Sequence, residues 1–166
     1  MTVPISIDIA VEDSLSEAVL RKVIDQSGRH WQVGTCHQRG GFGYLKQKIE
    51  GFNSAAKGKP FLVLTDLDRA DCPIALIQEW LTVPRHPDLL FRVAVREVES
   101  WLLADRTGLA QFLGIQESLV PGDPDTIPDP KQCLISLARK SRYRALRSDI
   151  VPLPGSTAKQ GRNYNG

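Results

Sequence analysis

The chain has 166 residues, 42% hydrophobic and 24% charged, and its 21 Lys and Arg against 19 Asp and Glu give a net charge of +2. That make-up fits a single globular domain, 1–166, with a sizeable core, and it excludes collagen-like, coiled-coil and disordered chains. No basic leader precedes the apolar start, no run nears the ~20 apolar residues of a membrane span, and Cys36, Cys72 and Cys133 form no CxxC pair. The expectation is a cytoplasmic, non-membrane protein without thiol-ligated zinc.

Ile5 to Val11 alternates apolar residues with Ser6 and Asp8 and predicts a strand. A helix from about Leu15 to Ser27 follows, with Ser14 as its N-cap, Glu17 completing a capping box, and Gly28 as its stop. Trp31 to Cys36 reads as a second short strand. The stretch from His37 to Gly43 reads as a glycine-rich loop with Phe42 packed in the core.

Leu45, Ile49 and Phe52 recur at i, i+4, i+7 and predict a helix ending before Gly58. Phe61 to Leu64 is wholly apolar and too short for a helix, as a central strand buried on both faces would be. It breaks at Thr65-Asp66-Leu67-Asp68, and Pro73 opens a helix through Trp80.

Leu90 to Val95 is a fourth strand, with helical packing at Val98, Trp101, Leu102 and Leu109 after it. Residues 118–130 are rich in Pro and Asp and read as loop. Lys131 to Ser141 reads as a helix, followed by a Pro-containing tail from Val151. Alternating short strands and helices predict α/β architecture with a mainly parallel sheet flanked by helices.

The acids follow the strands: Glu12 the first, Asp66 and Asp68 the third, Glu97 and Glu99 the fourth. Sites in open α/β sheets lie outside the carboxyl ends of the strands. Crowded carboxylates repel one another unless protons or cations neutralise them. Hard oxygen ligands suit Mg²⁺ or Mn²⁺, and no His lies in these clusters. If the extended backbone persists through Leu67, Asp66 and Asp68 project to one side.

The competing reading has these acids capping helices, Asp66 or Asp68 near Pro73 and Glu97 through a helix dipole. Glu99 is the weakest ligand, because in a helix positions i and i+2 diverge. Asp71 and Asp105 read as solvated or capping acids.

Val11-Glu12-Asp13 before a helix, with Asp66-Leu67-Asp68 after an apolar strand, resembles the Toprim pattern of topoisomerases, primases and overcoming-lysogenization-defect nucleases. The string from Val93 to Asp105, VAVREVESWLLAD, resembles a group of bacterial Toprim-like proteins of uncharacterised function. Pro130-Lys131 and the closing Gly161-Arg162-Asn163-Tyr164-Asn165 resemble that group as well. The resemblance implies a three-layer Toprim-like (Rossmann-like) fold.

It also implies metal-dependent phosphodiester chemistry, with Glu12, Asp66 and Asp68 as ligands and Glu97 completing or orienting the shell. Glu12 is alternatively a general acid/base. Asp13 stands where Toprim proteins usually carry Gly, and the relatives continue into further helical sequence beyond the position of Gly166. The expected function is nuclease-like hydrolysis with a role in bacterial defence and a protein partner there. The alternatives are a non-catalytic nucleic-acid-binding or regulatory subunit, and a small-molecule phosphohydrolase.

From Lys131 to the end there are eight cations and one acid, Asp149, a charge of +7, so residues 1–130 carry −5. Arg139, Lys140, Arg142, Arg144 and Arg147 surround Tyr143, and Lys159 and Arg162 follow. Cations with an interleaved aromatic are the residue types that contact phosphates and stack on bases of DNA or RNA. A solvated helical face is the competing reading.

Overall fold

Four short apolar segments, β1 (Ile5–Ala10), β2 (Trp31–His37), β3 (Phe61–Asp66) and β4 (Leu89–Ala94), pair in the computed structural model of the chain, which describes residues 3–164. The sheet is parallel throughout, in the order β2-β1-β3-β4. The connecting helices are α1 (Ser14–Gln26), α2 (Gly41–Ala55) and α3 (Pro73–Trp80).

Right-handed crossovers in this order put α1 on one face and α2 and α3 on the other. Phe42 of α2 accordingly meets Trp80 of α3 edge-on at 5.2 Å, and Lys46 bonds Glu79 at 2.5 Å. This is the expected α/β, three-layer, Rossmann-like arrangement.

β3 is central, and Phe61 through Thr65 are all buried, as a strand covered on both faces requires. Its Phe61 stacks on Phe52 of α2 at 4.7 Å, and Phe91 of β4 meets Trp80 at 5.7 Å. Leu45 and Ile49 of α2, Ile9 of β1 and Leu64 of β3 are buried as well. Removing such side chains from water supplies about 1.5–3 kcal/mol each.

Several local readings are corrected. The N-cap of α1 is Asp13, whose carboxylate accepts from Ser16 N–H at 2.9 Å, while Glu17 turns to Arg21 at 2.8 Å. The stretch Gly41-Phe42-Gly43 is not loop but the first turn of α2, preceded by Gly40 at φ +73°, a conformation that costs glycine little. Phe42 is accordingly 46% exposed and not packed in the core. Cys72, and neither Asp66 nor Asp68, caps α3 through Ala75 N–H.

Asp8 sits at a register shift between β1 and β2. It accepts from Thr35 N–H at 2.7 Å and pairs with Lys59. Burial pulls its carboxyl up, but the bonds from Lys59 and Thr35 more than offset this and leave it below its ordinary value.

The chain divides into two compact units, the one just described, ending at Ala94, and a second beginning at Val95. The second is helical: α4 (Glu99–Ala104), α5 (Arg106–Leu113), α6 (Pro130–Arg139) and α7 (Arg144–Ile150), with two short 3-10 turns, Glu117–Leu119 across the start of the predicted loop and Pro124–Thr126 within it. Asp105 separates α4 from α5 and caps the latter through Gly108 N–H at 2.9 Å, the capping role foreseen for it.

The predicted Lys131–Ser141 helix ends at Arg139. The basic run is therefore not one helical face, because a turn at Lys140–Tyr143 interrupts it. Leu103, Leu113, Ile135 and Ala138 form this unit's core. Trp101 is 38% exposed. Among the described residues no helix is long and apolar enough to cross a membrane. Asn165, part of the closing motif, lies outside the described residues.

Candidate functional site

In the first unit, β1 ends at Ala10 and the chain turns toward Asp13, which leaves Glu12 beside the end of β3. Glu12 Oε1 accepts from the Thr65 hydroxyl and from Asp66 N–H, the latter at 2.9 Å. These two donors clamp the half-buried carboxylate. Burial pushes it above its ordinary value, the two hydrogen bonds pull it down, and the nearby charges of Asp68 and Asp13 push it up again. Both bonds use Oε1, which leaves Oε2 to a proton or a ligand.

Asp66 is the last residue of β3 and half-buried, and Asp68 is exposed, at φ +49°. Few residues other than Gly adopt that conformation, though Asp does so more readily than most. Leu67 N–H still donates to Ala94 O at 2.8 Å, and Ala70 N–H bonds back to Leu67 O at 3.0 Å. The strand therefore turns over at the DxD motif and does not run through Asp68 as an extended chain.

Glu97 and Glu99 belong to the second unit. Glu97 precedes α4, so the two acids are not on one helix as the i and i+2 argument supposed. Glu97 Oε2 accepts from Lys131 N–H at 3.0 Å, and Asp129 accepts from Gln132 N–H at 2.9 Å. Between them these carboxylates satisfy the first turn of α6, whose Pro130 has no N–H to offer. The expected helix-terminus role of Glu97 is thus present, at α6. Burial pushes Glu97 upward, as do the charges of Glu99 and Asp129, while the bond and charge of Lys131 pull it down.

Glu99 is 1% exposed. Its Oε1 accepts from the Tyr164 hydroxyl at 2.8 Å and faces Lys131 Nζ at 3.5 Å. Gly161 N–H donates to Ile150 O at 2.9 Å and the Asn163 amide donates to Asp149 at 3.0 Å, which fixes the segment that delivers Tyr164. Spacing did not single out Thr65, Lys131 or Tyr164 for these duties. A hydroxyl ending a buried strand, and an aromatic in a polar tail, were the available signals.

The basic residues separate into groups. Arg139, Arg144, Arg147 and Lys159 line a cavity of about 930 Å³. Lys140 and Arg142 line another, of about 780 Å³, that also holds Glu117. Arg142 lies 4.9 Å over the Tyr143 ring and donates to its hydroxyl at 2.7 Å, so Tyr143 already carries a cation. Arg162 lines neither cavity.

Carboxylate oxygens are the donors that Mg²⁺ or Mn²⁺ takes, and Glu12, Asp66 and Asp68 fit by chemistry. Among the described residues no group of three or more His, Cys, Asp or Glu side chains is gathered as a ready ligand set. No protein-family model, curated protein or solved structure matches the chain.

Proposed function

We propose that the chain is a divalent-metal-dependent phosphodiesterase, nuclease-like in substrate, working at the carboxyl ends of β1 and β3 as its resemblance to Toprim proteins implies. The observation that carries this reading is the Glu12 clamp. A carboxyl from one strand end is held by the Thr65 hydroxyl and Asp66 N–H of the adjacent strand end, with Asp68 near enough to raise its affinity for a proton.

A carboxyl pushed upward keeps its proton to higher pH, the property of a general acid. The same carboxyl, deprotonated, joins Asp66 and Asp68 as an oxygen donor. Bound there, Mg²⁺ or Mn²⁺ supplies Lewis-acid polarisation and a more acidic water. Thr65 and Asp66 N–H keep Glu12 in place whichever of these roles it takes. DNA or RNA as substrate, bacterial defence as setting, and a protein partner in it belong to this proposal through the resemblance.

The second reading is a non-catalytic nucleic-acid-binding or regulatory subunit. It is favoured by the absence, among the described residues, of a gathered three-ligand group. Titrating the metal-free protein with Mn²⁺, followed by the paramagnetic signal of the free ion, separates the two. The first reading expects saturable binding that weakens about tenfold or more in Asp66→Asn and Asp68→Asn, since each removes a charged hard donor, and strand cleavage only in the ion-loaded wild type. Binding indifferent to both substitutions, with DNA and RNA left intact, favours the second.

A further inference from the structure

Four cations from three stretches of the second unit face one space: Arg139 from the last turn of α6, Arg144 and Arg147 from α7, and Lys159 from the tail. No Asp or Glu is among the residues that line it. Arg147 spends one N–H on Ser141 O. Among the described residues, the side chains of Arg139, Arg144 and Lys159 have no hydrogen-bond or ion-pair partner. Like charges gathered around a concavity repel one another, and the repulsion is relieved when an anion enters. Gln132 donates to Lys159 O at 3.2 Å, which ties the tail to α6.

The rest of the lining is different. Pro152, Leu153 and Pro154 make an aliphatic wall, with Leu153 54% exposed. At about 930 Å³ the space lies toward the upper end of ligand cavities, roughly 300–1,000 Å³. Several cations converging on a compact space suit a ligand with several negative charges on adjacent oxygens, and the apolar wall suits the flat face of a base or the carbons of a sugar. Arg offers planar paired donors that match phosphate oxygens.

We propose that this cavity is a phosphate-binding site for a nucleotide: the phosphomonoester or diphosphate group sits among Arg139, Arg144 and Lys159, and the nucleoside lies against Leu153. The group comes from a free nucleotide or from the 5′-phosphate end of a strand. The site stands whether or not the acids of the first unit hydrolyse anything.

The test is equilibrium binding in EDTA at about 20 mM salt, where phosphate contacts are strongest. ADP is followed by calorimetry, and a short single strand with a 5′-phosphate or a 5′-hydroxyl by fluorescence anisotropy. Saturable binding is expected of ADP, of the 5′-phosphorylated strand in preference to its 5′-hydroxyl twin, or of both, and the pattern names the source. Arg139→Gln/Arg144→Gln should lose about tenfold or more, as charge-assisted contacts do when removed. Lys140→Gln/Arg142→Gln, equal in charge removed, should change affinity less than about twofold.

These side chains are exposed, and unchanged thermal unfolding checks that the variants fold. No binding of any probe, equal loss in the two double variants, or binding of both strands alike without ADP overturns the site. Asp66→Asn/Asp68→Asn should bind as the wild type does, so the failure of catalysis and the failure of this site are read separately. Loss confined to that variant also overturns it.

Discussion

At the end of β1, Glu12 receives a hydroxyl and a backbone N–H while Asp68 and Asp13 push against its charge. At the start of α4, Glu99 receives the Tyr164 hydroxyl and the Lys131 ammonium and is 1% exposed. Both glutamates follow parallel strands, and both look alike in a list of acids. Their difference lies in what faces them. One carboxylate is held in a position where repulsion is unspent, which a proton or cation relieves. The other has its charge answered by this chain's own Lys131, and its bond to Tyr164 fastens the tail.

The largest effect should come from the second of these. Glu99→Ala removes the carboxylate that accepts from the Tyr164 hydroxyl and faces the Lys131 ammonium, and should destabilise the fold by about 3 kcal/mol, at the low end for a broken buried pair because Lys131 is partly exposed. Urea unfolding measures this, and a change under about 0.5 kcal/mol would break the contrast with Glu12. Gly161→Ala should follow at about 2 kcal/mol, because a Cβ there would stand 2.1 Å from Asp149 O. The same unfolding curve reads it, with loss of Tyr164 burial seen by fluorescence. Tyr164→Phe keeps the ring and drops one hydrogen bond, for about 1 kcal/mol.

The smallest effect separates two carboxyls of the first unit by sign. Asp8 is held below its ordinary value, so its contribution is fully present above the unfolded pKa of about 3.9 and fades as pH falls through the lower folded value. Glu12 is pushed up, so the folded state binds its proton more tightly than the unfolded chain does. Ionising Glu12 therefore costs stability as pH rises above the unfolded value of about 4.3. Asp8→Asn should flatten the acid limb of a stability–pH curve, and Glu12→Gln should remove a loss on the neutral side. Curves that move the same way in both variants would remove the distinction.

The sheet was legible because its signals are local and redundant. Phe61 to Leu64 is apolar without a break, and Pro60 and Asp66 bracket it. The start of α2 was hidden because Gly41 and Gly43 disfavour a helix by about 1 kcal/mol each, and packing of the later turns overrides them. The cap of α1 shifted by one residue, from Ser14 to Asp13, as two adjacent good caps allow.

Partner identity was not legible at all. That Glu97 serves α6, or that Tyr164 reaches Glu99 across 65 residues, follows from tertiary packing. The charge split reads differently once the units are known. Residues 1–94 hold eleven cations and eleven acids, so the −5 assigned to 1–130 belongs entirely to residues 95–130. Both halves of the asymmetry lie in the second unit.

β2 is an outer strand of the sheet, and it is not a regular one. Where Gly34 and Thr35 shift register against β1, the carboxylate of Asp8 has captured a backbone donor, and a Cβ on Gly34 would stand 2.3 Å from Lys59 Nζ. A bulged border of this kind twists more strongly than a straight one. A foreign strand approaching it finds a kinked template and not a continuous ladder. Bulges are among the devices by which edge strands in general avoid pairing with foreign strands.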